Sequence, residues 1–178
     1  MIVFWVLLGV ICCERVAELV FSGRHATALL RDGGTESGFG HFPVMVALHT
    51  ALLVGCVLEP VLGHRTFIPA LGYPMLAVVI AANGLRWWCI RTLSERWSAR
   101  VIVLPGVPLV RSGPYRWFAH PNYVAVVVEG VALPLVGSAW ITAACFTAAN
   151  AALLTVRIRC EAQALRAAAV PAATTGVP

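Results

Sequence analysis

The sequence predicts an all-α fold, a polytopic transmembrane bundle of about five membrane helices, and three observations carry that prediction. Of 178 residues, 60% are hydrophobic and only 12% charged, a balance far from that of a soluble domain. The apolar residues gather into runs close to the ~20 residues that a helix needs to cross a hydrocarbon core of about 30 Å. The basic charge is all arginine, 13 residues with no lysine among them, and it clusters at the edges of the apolar runs. Such clustering reads as positive-inside topology and argues against a nucleic-acid surface as the source of the net charge of +5.

The first span is Met1 to Phe21, just long enough at about 1.5 Å per residue. No basic segment precedes it and no small-residue cleavage site follows, so it reads as a membrane helix and not a signal peptide. Glu14 and Glu18 are four apart on one face, with Arg15 beside them. Carboxylates at that depth either pair with arginine or line a pocket. Ser22 to Gly40 is polar and glycine-rich, with Asp32-Gly33-Gly34 as a turn signal, and reads as a loop with a short interfacial helix. Phe42 to Val61 is the second span, entered through His41. His49 sits inside it, either as a hydrogen-bonded structural group or as a substrate-pocket residue.

Glu59 to Phe67 is a turn whose fixed positive charge is Arg65, and Ile68 to Ile90 is the third span. After a long connector, Val124 to Val136 is too short to cross upright. Gly137-Ser138 then turns the chain, and Ala139 to Val156 runs back, forming a helical hairpin with small residues such as Ala143, Ala144 and Ala148 for close packing. Glu129 lies in the first arm and Asn150 in the second. A carboxylate there needs a partner or a function; a Glu129–Asn150 hydrogen bond would supply the one, a catalytic role the other. Arg157 to Arg166 reads as a cytoplasmic helix with Arg157 and Glu161 on one face, and 167–178 as a disordered tail behind a single domain of 1–166. The arginine asymmetry puts the N-terminus outside and the connector and final helix in the cytoplasm. Six cysteines without C-x-x-C spacing predict neither a disulfide framework nor a metal site.

The connector, Leu85 to Tyr123, is the richest stretch. It holds six of the 13 arginines and four of the six tryptophans, the composition of a headgroup-level belt against membrane lipids. A belt does not explain its punctuation: Leu104-Pro105-Gly106, Ser112-Gly113-Pro114-Tyr115 and His120-Pro121-Asn122-Tyr123. Such pairs demand fixed turns. Pro121 suits the first position of a helix, leaving His120 at an N-terminus whose free N–H groups favour an anionic or electron-rich ligand.

Gly113-Pro114-Tyr115-Arg116, His120-Pro121-Asn122-Tyr123, a helical hairpin, then Arg157 and Glu161 together resemble the integral-membrane family of isoprenylcysteine carboxyl methyltransferases and phospholipid methyltransferases. The likeness covers roughly residues 85–166. Where that family has a basic residue before His-Pro and a Glu-Glu pair near the end, this chain has Ala119 and Glu161-Ala162. It is more similar to a bacterial branch with Arg-Trp-Trp-Cys-Ile-Arg-Thr-Leu (86–93), Val-Leu-Pro-Gly (103–106) and Met-Val-Ala-Leu-His-Thr (45–50) blocks. That branch is associated with type III polyketide synthases and O-methylates long-chain alkylresorcinols or alkylpyrones.

The resemblance implies an active site on the cytoplasmic face of the bacterial cytoplasmic membrane. S-adenosylmethionine would be held by Pro105, Gly106, Tyr115, His120, Pro121 and Tyr123, with Glu161 towards its ammonium group. A lipophilic acceptor would enter from the lipid and react beside Arg157. Methyl transfer gains most from alignment and exclusion of water, worth about 7–11 kcal/mol. A phenol titrates near pH 10, so only about one in a thousand is ionised at neutral pH, and burial makes ionisation harder. A base or a fixed cation is therefore expected: Glu129 as base with Arg157 as its electrostatic partner, and His49 as a further candidate. Structural alternatives stand beside these: interfacial anchoring for Tyr115 and Tyr123, helix capping for His120, and an exposed Arg157–Glu161 pair. Prenylcysteine or phospholipid methylation, and a non-enzymatic membrane subunit, remain the other functional readings.

Overall fold

In a hydrocarbon layer every backbone polar group must find its partner within the segment, so the long apolar runs become helices. The computed structural model describes residues 1–169. Its helices are α1 (Ile2–Arg31), α2 (His41–Leu62), α3 (Pro69–Leu93), α4 (Pro121–Val136) and α5 (Trp140–Ala169). Two short strands, β1 (Thr35–Ser37) and β2 (Val101–Val103), pair antiparallel with Glu36 opposite Ile102. Single 3-10 turns at Ser94–Arg96 and Gly113–Arg116 break the connector.

Helices α2, α3 and α5 are each long and apolar enough to cross a membrane. α1 has the length, about 45 Å at 1.5 Å per residue, but carries Glu14, Arg15 and Glu18 at mid-height. α4 rises only about 24 Å; it is the most enclosed helix, packed against α3 and α5, with half of its sixteen residues buried. The outward faces of the others present Val6, Val54, Ile80 and Ile141 to their surroundings, as lipid contact requires.

The apolar core fills one end of the bundle. Phe4, Leu8 and Ile11 of α1 meet Leu52 and Cys56 of α2, Val79 of α3, Leu133 and Val136 of α4 and Phe146 of α5. α4 and α5 approach closely at Gly130, where an added Cβ would fall 2.1 Å from the Phe146 ring. At the same end Glu59 accepts the backbone N–H groups of Ile141 (3.1 Å) and Thr142 (2.7 Å), placing a carboxylate on the first turn of α5. The other end gathers the connector, the ribbon, the start of α4 and the second half of α5.

Three expectations are corrected. Ser22 to Gly40 is not a loop with a short separate helix: its first half is the continuation of α1 to Arg31, and only residues 32–40 form turns, on either side of β1. Its polar residues do not end the helix because the connector lies over them. Ser22 Oγ accepts the Ala99 N–H at 2.9 Å, and His25 Nδ1 sits 2.9 Å from the Trp97 carbonyl oxygen. Arg157 to Arg166 is not a separate helix but the continuation of α5, which no proline or glycine interrupts. The expected tail begins inside α5, since residues 167–169 are helical, while 170–178 lie outside the described residues.

Candidate active site

The connector forms a roof over the helix ends. Trp97 is buried beneath it, and β2 pins its middle to β1. The Leu104–Val107 turn, closed by Val107 N–H to Leu104 O at 3.4 Å, has Pro105 at its second position and Gly106 at its third with φ +75°. Only glycine takes that angle cheaply, so the Pro-Gly pair sets this turn. The chain then reaches His120, and Pro121 opens α4 as its first residue.

Beneath this roof lies a cavity of about 590 Å³, within the range of small-molecule sites. Its upper end is lined by Arg111, Tyr115, His120, Asn122, Tyr123 and Glu161, and its wall by Met45 and Arg157. Its deep end, inside the bundle, reaches His49, Arg15, Glu18 and Arg86.

At the upper end, the Tyr123 hydroxyl donates to Glu161 Oε2 at 2.9 Å, and His120 Nδ1 lies 3.6 Å from the same oxygen. The His120 and Tyr123 rings stack at 5.2 Å and 19°. His120 occupies the N-cap position without a side-chain capping bond, so the expected capping role is not what its ring performs. Burial, with Cys89 beside it, pushes the Tyr115 hydroxyl above its ordinary range, so it remains a neutral group. Asn122 Oδ1 is enclosed with no donor among the described residues.

Arg157 is 4% exposed and so is not half of an exposed pair with Glu161. Its Nη2 donates to Ala99 O at 2.7 Å, its Nη1 lies 2.9 Å from Met45 Sδ, and its guanidinium sits 5.8 Å from the Tyr123 ring centre. None of the ion pairs among the described residues includes it. One turn deeper on α2, His49 Nδ1 lies 2.8 Å from the Met45 carbonyl oxygen, and its ring meets Phe146 edge-on.

At the floor, Arg15 and Arg86 interleave with Glu18 and Glu129. Arg86 bonds Glu129 and lies 3.5 Å from Glu18; Arg15 lies 2.8 Å from Glu18 and 3.6 Å from Glu129. The alternative in which Glu129 bonds Asn150 is thereby corrected: its partners are the arginines of α3 and α1. Glu129 faces a small void between α1, α2, α4 and α5, not the main cavity. Pro105 and Gly106 are exposed at the roof turn and Pro121 is buried under it; none of the three lines the cavity.

The sequence reading passed over Arg86 by counting it into the headgroup belt, although it is 5% exposed. A signal was present. Val79, Ala82, Arg86 and Cys89, spaced by three, four and three, form one buried helical stripe, which turns Arg86 inward. Asn122 was quoted only as part of a motif.

The isoprenylcysteine carboxyl methyltransferase (ICMT) family matches residues 75–167, the span that holds the connector, α4, most of α5 and most of the cavity lining. Two bacterial proteins are similar over most of their length. "Uncharacterized protein YpbQ" of Bacillus subtilis (strain 168) is 32% identical over 92% of this chain and 96% of its own. An "Uncharacterized protein" of Haemophilus influenzae is 27% identical over 85% of this chain and 88% of its own.

Proposed function

Since the chain belongs to the isoprenylcysteine carboxyl methyltransferase family of membrane methyltransferases, we propose that it transfers a methyl group from S-adenosylmethionine to an oxygen of a lipophilic acceptor. The acceptor is a long-chain alkylresorcinol or alkylpyrone, the product of a type III polyketide synthase, and the reaction takes place at the cytoplasmic face of the bacterial membrane. The observation that carries this reading is a continuous cavity that runs from the connector, with its polar side chains, into the bundle between apolar walls built by Leu53, Val126, Leu153 and Leu154, with the charged cluster as its floor. Such a cavity lets a water-soluble group and a lipid meet.

The residues present fit the cofactor. Glu161 offers a carboxylate to its ammonium group, Asn122 Oδ1 an unused acceptor, and Arg111 a cation for its carboxylate. When bound, S-adenosylmethionine supplies a methyl group on a positively charged sulfur. The protein's own work is to hold Tyr115, His120 and Tyr123 around it, to keep water out under the roof, and to place the Arg157 guanidinium where negative charge develops on the acceptor oxygen.

A second reading, prenylcysteine carboxyl methylation, is favoured by one observation: Arg157 is a buried cation without a carboxylate partner among the described residues, and an acceptor carboxylate would complete it. Calorimetry with S-adenosylmethionine on detergent-purified protein tests the enzyme reading, and a protein that binds none is not a methyltransferase. Turnover with an alkylresorcinol against a prenylcysteine acid separates the acceptors; methylation of the acid alone overturns the first.

A further inference from the structure

We propose that His49 is the general base of the reaction, taking the acceptor's hydroxyl proton on Nε2, so that the acceptor is a phenol, such as an alkylresorcinol, that arrives protonated and not an acid that arrives ionised. The inference rests on the O-methyltransferase reading above.

The first argument is the tautomer. A carbonyl oxygen can only accept, so the 2.8 Å contact with Met45 O requires the His49 proton on Nδ1. The neutral ring then carries its lone pair on Nε2. That tautomer is fixed by α2 itself, since residue 45 lies one turn before residue 49, and the edge-on Phe146 ring restricts the imidazole further.

The second argument is position. His49 lines the cavity one turn deeper than Met45, whose sulfur lies 2.9 Å from the Arg157 guanidinium. The proton acceptor and the cation for developing negative charge thus occupy one wall. The third is elimination among the charged groups that face His49. From α1 these are Arg15 and Glu18, from α3 Arg86 and from α4 Glu129. The two carboxylates and two guanidiniums are committed to one another, and Glu129 does not open onto the main cavity. α5 contributes Phe146, Asn150 and Arg157, none of them a base, while its Glu161 lies at the upper end of the cavity, where it accepts the Tyr123 hydroxyl at 2.9 Å beside His120.

The step balances. The acceptor O–H bond breaks and its proton passes to Nε2, while the freed oxygen pair bonds to the methyl carbon, whose former bonding pair stays on the cofactor's sulfur. Histidinium then returns the proton to water when the product leaves. A prenylcysteine carboxylate would need no such base.

The test uses two probes, a long-chain alkylresorcinol and a long-chain alkyl nitrophenol, which is ionised near neutrality. His49→Gln should lower turnover on the resorcinol by about 100-fold or more and on the ionised nitrophenol by less than about threefold. Without cofactor, the absorbance of bound nitrophenol reports its ionisation directly. Its midpoint should rise in His49→Gln by about one pH unit, because the histidinium that favours phenolate is gone. Equal losses on both probes with no optical shift would make His49 structural and overturn the proposal. If wild-type protein binds S-adenosylmethionine yet methylates neither probe, the acceptor reading itself has failed. Should His49→Gln not fold, wild-type pH profiles decide: turnover must fall at low pH for the resorcinol over a range where its binding does not, and a flat profile overturns the base.

Discussion

Arg86 and Arg157 are buried alike, at 5% and 4% exposure, and are partnered in opposite ways. Arg86 sits between two carboxylates, Glu129 of α4 and Glu18 of α1, in a cluster that ties three helices together. Arg157 touches a backbone carbonyl, a thioether and a tyrosine ring, all neutral. Removing a guanidinium from water costs several kcal/mol, and opposite charge is the usual compensation. Among the described residues, Arg86 receives it and Arg157 does not. A buried cation left on a cavity wall with only neutral partners is suited to a ligand's negative charge, whereas one with two carboxylates is suited to holding helices.

The largest effect should come from the paired site. Arg86→Leu leaves Glu129 and Glu18 sharing Arg15, and the loss of one partner from a buried pair costs about 3–5 kcal/mol. Thermal unfolding in detergent should show this, and the double variant Arg86→Leu/Glu129→Leu should recover much of it by removing the stranded charge. A single variant as stable as wild type would break the contrast from the Arg86 side.

That contrast was half legible in the sequence. The hairpin, Pro121 at the first position of α4, and Arg157 one turn from Glu161 all follow from local spacing, because local backbone geometry decides them. The extension of α1 past Ser22 was not legible. Ser22 and His25 read as polar punctuation until Trp97 and Ala99, more than seventy residues away, supply their partners. Arg86 was misread for a related reason. Composition groups it with the interfacial arginines, and only its place in the Val79–Ala82–Cys89 stripe turns it inward. At the site, His120, Tyr123 and Glu161 do come together, while Pro105 and Gly106 serve the roof turn.

From the other side of the comparison, Arg157→Met should unfold within about 1 kcal/mol of wild type, since no charge is left unpaired and the lost bonds are to neutral groups. Turnover should nevertheless fall by about 10²–10³-fold, the usual effect of removing one charge-stabilising donor. Arg157→Lys should restore part of it. If Arg157→Met destabilises as much as Arg86→Leu, both arginines are structural and the contrast disappears.

A smaller effect is expected at Glu161. Glu161→Gln should weaken S-adenosylmethionine binding in calorimetry by about tenfold or more, the worth of roughly 1.5 kcal/mol for one hydrogen bond to a charged group. The fold should hold, because Glu161 is partly exposed and has Tyr123 and His120 as its neighbours.

The smallest effect separates the two ways in which Tyr123 touches this network. Its hydroxyl donates to Glu161 at 2.9 Å, while its ring stacks on His120 and lies 5.8 Å from the Arg157 guanidinium. Tyr123→Phe removes the hydrogen bond and keeps the ring, so it should cost about 0.5–1.5 kcal/mol of stability and change turnover by no more than about threefold. Tyr123→Leu also removes the ring face, an interaction worth about 0.5–2 kcal/mol when desolvated. Arg157 would then keep only Ala99 O and Met45 Sδ to position it, so turnover should fall towards that of Arg157→Met while cofactor affinity follows Tyr123→Phe. If Phe and Leu variants are equally active, the ring does not position Arg157, and the roof contact at Ala99 does so alone.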